Sequence, residues 1–144
     1  MRANKAGGFT LLELMIVVVV IAVLTSLAFY NYSRYGFRSR RVDGQNLLTT
    51  IAAAEERYYT NFNQYTSSIT GVAPGGLGFS TVNSDRGYYS AGVALGAGNL
   101  TYTLTATPQG AQATDACGSL TLDNTGAKTP AIGAMPQSSN GNCW

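Results

Sequence analysis

Histidine is absent from these 144 residues. That removes the side chain most often used as a general base or metal ligand near neutral pH. Cysteine occurs only twice, at Cys117 and Cys143, both late in the chain. Charged side chains make up only 11% of the sequence. Asp85, Asp115 and Asp123 are dispersed, so no calcium-binding or catalytic carboxylate cluster is spelled out. Glu55 and Glu56 are neighbours on a helical stretch and point to different faces, which reads as surface charge beside Arg57. No phosphate loop, metal-ligand spacing or nucleophile motif occurs. The chain is therefore read as non-enzymatic, with no catalytic residues, no metal and no cofactor. The formal net charge is +2, and Arg2 and Lys5 supply it. Beyond residue 8 the chain carries seven basic and seven acidic side chains. With no basic patch past Arg34–Arg41, a dedicated nucleic-acid partner is not expected.

What is present is unevenly distributed. From Phe9 to Phe29 the only charged residue is Glu13. As a helix this stretch spans roughly 32 Å, close to the thickness of a bilayer core. Aromatics crowd its far end (Phe29, Tyr30, Tyr32, Tyr35, Phe37), as rings do at a membrane–water boundary. A secretory signal would place small residues after the apolar core; here Ala6-Gly7-Gly8 precede it. Cleavage at Gly8 would thus retain the apolar helix and make Phe9 the new N-terminus. Flanking charges conflict over orientation. Arg2 and Lys5 favour a cytoplasmic start, whereas Arg34, Arg38, Arg40 and Arg41 would put the other end inside. Behind a membrane segment the two cysteines form one disulfide in an oxidising compartment. Closing their loop is worth about 3.6 kcal/mol by chain entropy.

The helical pattern continues past the apolar run. Leu47, Ile51, Ala54 and Tyr58 form one apolar row, and Leu48, Ala52, Glu55 and Tyr59 the next. No proline occurs from Phe9 to Ala73, and Gly36 and Gly44 cost only about 1 kcal/mol each. One helix from about Phe9 to Asn61 is expected. Residues 62–87, with Pro74-Gly75-Gly76 as a turn, read as an exposed connecting loop. Strands follow at Tyr88–Leu95, at Leu100–Thr107 with Leu100, Tyr102, Leu104 and Ala106 inward, and at Gly118–Asp123 with Leu120 and Leu122 inward. Asn124-Thr125-Gly126 is a turn, and Ala127–Pro130 a short edge strand. The inner face of this sheet would pack on the Leu47/Ile51/Tyr58 side of the helix. The fold class is α+β: a long N-terminal helix on an antiparallel sheet of about four strands. The tail from Ile132 is irregular.

The stretch GGFTLLELMIVVVVIAVL resembles the start of a type IV prepilin: a short basic leader ending in glycine, then F-T-L-x-E opening a long apolar helix. The likeness covers residues 5–24. It implies cleavage after Gly8 and N-methylation of Phe9 by a prepilin peptidase/N-methyltransferase. It also implies a single pass through the bacterial inner membrane with the N-terminus cytoplasmic, then export into an extracellular pilus by the assembly machinery. The partners implied are other pilin subunits, packed through their apolar helices. EERYYTNFNQYT, YTLTATPQGAQATDACGSLTLDNTGAKT and the terminal CW are similar to the PilE group of type IVa minor pilins. The implied organisation is a leader over 1–8, a membrane and filament-core helix over 9–35, and a periplasmic head over 36–144. That head would comprise the helix continuation to about 61, the loop 62–87, the sheet 88–130 and a disulfide-bounded loop 117–143.

Many of these pilins carry a proline near the end of the apolar stretch and a glycine in its middle. This chain has Tyr30 and Ala22 there, so more helix is expected to survive between Ala22 and Tyr32. Thr25 and Ser26 can bond back to preceding carbonyls. Glu13 is costly in lipid alone and, in a filament, would pair with the new amine of Phe9. The implied function is a minor pilin that promotes assembly, enters the filament and supports twitching motility and adhesion. The alternatives are the major pilin, a type II secretion pseudopilin, and a competence pilin that captures DNA through aromatics such as Tyr88 and Tyr89.

Overall fold

The computed structural model describes residues 8–131 and 141–144, without the side chains of 27–34. The leader apart from Gly8, the rings of Phe29, Tyr30 and Tyr32, the Arg34 side chain and the tail over 132–140 lie outside the described residues. The chain divides into two compact units, Met1–Ser33 and Arg34–Trp144.

Helix α1 runs over Leu11–Phe62. Proline-free sequence lets the hydrogen-bond ladder pass Gly36 and Gly44 unbroken. Thr25 Oγ1 donates to the Ile21 carbonyl (2.6 Å) and Ser26 Oγ to that of Val23 (2.7 Å), the back-bonding expected of these residues. The apolar run Phe9–Phe29 passes onto residues outside the described side chains. Among the described residues no helix is long and apolar enough to cross a membrane.

In the second unit β1 (Tyr89–Leu95), β2 (Tyr102–Pro108), β3 (Leu120–Asp123) and β4 (Lys128–Thr129) form one sheet in sequence order. Every pair is antiparallel, with Val93 opposite Leu104 and Leu104 opposite Leu122. Alternation puts Tyr102, Leu104, Ala106, Leu120 and Leu122 inward, all buried. Leu100 is a correction. A 3₁₀ turn at Ala97–Asn99, with positive φ at Gly98 and Asn99, redirects the chain before β2 begins. Leu100 therefore stays 55% exposed instead of facing the core.

Of the expected row, Ile51, Ala54 and Tyr58 are buried and only Leu47 departs from it. Arg41, Gly44, Leu48, Ile51, Glu55 and Tyr58 are buried, at steps of three and four, whereas Leu47 is only partly covered. Gly44 lies under the Tyr89 ring, where an added Cβ would come within 2.8 Å of it. The segment between α1 and β1 is not simply a surface loop. Tyr65, Thr66, Ile69 and Ser84 are buried in it. Its backbone is pinned by Leu77 N–H to the Ser68 carbonyl (3.0 Å) and Phe79 N–H to that of Ile69 (3.1 Å). Gly75 N–H donates to the Val72 carbonyl (2.7 Å), closing the expected turn at Pro74-Gly75-Gly76.

Candidate functional site

Gly8, Phe9 and Thr10 precede α1, and Glu13 lies in its first turn. Thr10 caps the helix: its Oγ1 accepts the Glu13 N–H at 3.2 Å. A threonine followed three residues later by glutamate, ahead of an apolar run, is a helix-start signature, and a carboxylate there favours the positive end of the helix dipole. The order F-T-L-L-E thus defines where the helix begins as well as where the charge sits. Along the run from Phe9 to Leu24 the large apolar side chains are exposed, from 83% at Phe9 to 49% at Val17. Such a surface requires lipid or other helices over it.

At the head, Arg41 from the buried helix row meets Asp115. Its Nε and Nη2 donate to the two carboxylate oxygens at 2.7 and 2.6 Å, with both side chains 1% exposed. Arg41 Nη1 also donates to the carbonyls of Gly141 (3.4 Å) and Asn142 (3.2 Å). Gln112 Nε2 donates to Asp115 (3.0 Å), to the Tyr89 hydroxyl (3.1 Å) and to the Phe37 carbonyl (3.3 Å). Cys117 and Cys143 are disulfide-bonded, and Gln45 Nε2 donates to the Cys143 carbonyl at 2.9 Å. Helix, β2–β3 connection and residues 141–143 are thereby fastened at one point. Burial pushes the Tyr89 phenol up to about 12, so it stays a neutral hydrogen-bonding group.

Lower on the helix, Glu55 corrects its reading as a surface charge: it is fully buried. Its Oε2 accepts the Thr66 N–H at 3.1 Å, while Oε1 has no partner. Glu56 is the exposed one, and accepts the Tyr65 and Tyr102 hydroxyls. Burial, reinforced by the charge of Glu56 and opposed by the Thr66 bond, raises the Glu55 carboxyl above its ordinary value. An acid with a raised folded value contributes stability below its unfolded value that is lost as pH rises through the folded one. Glu55→Gln, which retains an oxygen for Thr66, is therefore expected to unfold at a higher temperature than the parent at pH 7. The gap should close as pH falls below the ordinary carboxylate range. Thermal scans from pH 3 to 8 check this, and a gap constant across that range would contradict it.

Tyr89 corrects its reading as a base-stacking platform, because it is fully buried. Tyr88 is partly exposed with the Arg40 guanidinium 4.8 Å from its ring, and Lys128 lies 4.7 Å from the Trp144 ring. Among the described residues no group of three or more acidic, histidine or cysteine side chains could hold a metal ion.

Comparison with known proteins identifies two families. "Type IV minor pilin ComP, DNA uptake sequence receptor" matches residues 31–121, and "Prokaryotic N-terminal methylation motif" matches residues 3–29. The chain is similar to the Type IV major pilin protein PilA of Myxococcus xanthus, 28% identical over 62% of this chain and 38% of that protein. It is also similar to Fimbrial protein EcpC of Eikenella corrodens, 39% identical over 38% of this chain and 35% of that protein. The matches thus span little more than a third of these relatives' length. A solved type IV pilin from Shewanella oneidensis superposes with a TM-score of 0.54 at 33% identity, covering 75% of this chain and 97% of that one.

Proposed function

Because this chain belongs to the type IV pilins, we propose that it is a minor pilus subunit, cut after Gly8, N-methylated at Phe9, and inserted into a filament whose assembly it promotes. The observation that carries this reading is the run from Phe9 to Leu24. Its apolar side chains are exposed all round, and Glu13 is its single charge. Lipid covers such a helix before assembly; neighbouring subunits cover it afterwards. Glu13 then needs a cationic partner, and the amine of Phe9 supplies one, since methylation keeps its charge. In this reading the new N-terminus is cytoplasmic, the head periplasmic, and the assembled filament supports twitching and adhesion.

Gly8→Val is expected to leave the chain full length in the membrane, as judged by intact mass. A product still eight residues shorter would sink the processing reading. Glu13→Ala should be inserted and cleaved normally. Its recovery in sheared pili should fall at least about tenfold, because an unpaired buried charge costs several kcal/mol. Wild-type recovery would remove the pairing role. The minor assignment rests on abundance: sheared pili in which this chain predominates would make it the major subunit.

A second reading, the competence pilin, is favoured by the family matched over residues 31–121 and by the two partly exposed cation–aromatic pairs. A mobility-shift assay on the head from residue 36, with duplex DNA across a salt series, separates the two. Salt-sensitive retardation near physiological ionic strength, weakened in Arg40→Ala and Lys128→Ala, supports DNA capture. No retardation leaves the structural role alone.

A further inference from the structure

Arg34, Arg38, Arg40 and Arg41 follow one another closely, with no acidic residue between them. They open the second unit, which begins at Arg34, just past the aromatic end of the apolar run. Arg41 is neutralised by Asp115. Arg38 and Arg40 are not: among the described residues neither guanidinium meets a carboxylate. Asp43 lies on the next turn of the helix, but its Oδ1 accepts the Arg86 N–H (3.3 Å) and its Oδ2 is buried. Both free guanidiniums are nevertheless held in place. Arg40 lies over the Tyr88 ring, 4.8 Å from its centroid. Arg38 packs against the backbone at Gly141, where an added Cβ would come within 3.2 Å of its guanidinium. Tyr35, 66% exposed, shares a helical face with Arg38 and the exposed Ser39. Side chains on a helix lean toward its N-terminus, here the side of the apolar run.

Two preplaced cations without anions, beside an exposed tyrosine, suit a surface of phosphates. Their position in the chain selects which surface. Whenever residues 9–29 cross a bilayer, a leaflet lies next to this cluster, and a duplex would have to compete with that leaflet for the same two groups. We propose that Arg38 and Arg40, with Tyr35 beside them, seat the head on the phosphates of anionic lipids in the leaflet that faces it. The inference rests on the membrane reading of the apolar run given above. It also answers the conflict of flanking charges: arginines on the far side of a membrane segment oppose its usual orientation, and here one is paired inside the head while two have lipid to meet. Each arginine at an anionic leaflet favours the seated state by about fivefold. The contact belongs to the subunit before assembly, since a filament offers no leaflet.

The test uses the full chain in nanodiscs of phosphatidylcholine alone or of an equal mixture with phosphatidylglycerol. A trace of lipid with a nitroxide on its headgroup broadens amides that approach the surface. Broadening at Tyr88 and Asn142, beside the two guanidiniums, should rise at least about twofold in the mixture. It should return to the phosphatidylcholine level at high salt and in Arg38→Gln with Arg40→Gln, whereas Arg38→Lys with Arg40→Lys should keep most of the rise. Thermal unfolding verifies that both double variants fold, and the salt series on the parent carries the test if they do not. A chain that fails to co-elute with the nanodiscs sinks the membrane reading and this inference together. A chain that inserts but broadens equally in both lipids, or a rise that the glutamine variant keeps, overturns this inference alone. So does a short DNA duplex that shifts these amides at physiological salt while phosphatidylglycerol changes nothing, which assigns the cluster to nucleic acid.

Discussion

Replacing Asp115 with alanine is expected to lower the unfolding free energy of the head by about 3–5 kcal/mol. The pair it breaks is bidentate, and both side chains are 1% exposed. Alanine removes the carboxylate but leaves the Arg41 guanidinium in place, beside carbonyls and a Gln112 amide that has also lost one of its acceptors. The penalty comes less from the lost attraction than from a buried guanidinium deprived of its bidentate carboxylate. Two consequences distinguish this from an ordinary surface pair. The loss should persist at 1 M salt, since buried charges are poorly screened. Changing both partners to apolar residues, Arg41→Met with Asp115→Leu, should recover a substantial part of it, because neither charge is then left alone. Urea unfolding followed by circular dichroism reads all of this; a single-mutant loss below about 1 kcal/mol would show that water reaches the pair.

Cys143→Ser should destabilise the head by about 2–5 kcal/mol, the loop-entropy share being about 3.6. Reduction of the parent protein should reproduce the loss, and Cys117→Ser should match it. The bond holds more than its own loop. With residue 143 released, the carbonyls of Gly141, Asn142 and Cys143 can leave the Arg41 and Gln45 side chains that donate to them. The two large effects are therefore coupled: Cys143→Ser with Asp115→Ala should cost clearly less than the sum of the two single losses. Additive losses would mean that the disulfide and the ion pair hold the strap independently.

Much of this architecture is written in local pattern. The absence of proline and the recurrence of apolar residues at helical steps announce α1 almost to its ends. The Tyr102-Leu104-Ala106 alternation announces β2, and F-T-L-L-E marks the start of the helix and its lone charge. What stayed hidden is non-local. Arg41 reads as one of a cluster of flanking arginines and Asp115 as an isolated acid, because their partnership spans 74 positions. A signal existed: Arg41 and Glu55 fall on the same row as Leu48 and Ile51, and a charge on an apolar row implies a buried partner or a shifted titration. Leu100 misled because two positive-φ residues end the alternation just before it. The buried course of the segment before β1 was illegible for another reason. It has no period and is placed by backbone bonds to Ile69, Ser90 and Tyr89.

The strap formed by residues 141–143 also has a temporal meaning. Its carbonyls meet α1 side chains emitted 98 to 101 positions earlier, and Cys117 waits 26 residues for its sulfur partner. While the polypeptide is still emerging, Arg41 lacks both Asp115 and the strap that closes over it. A subunit interrupted before residue 143 thus keeps its fastening point open and unfinished. Closing that point therefore requires a chain extended through Cys143.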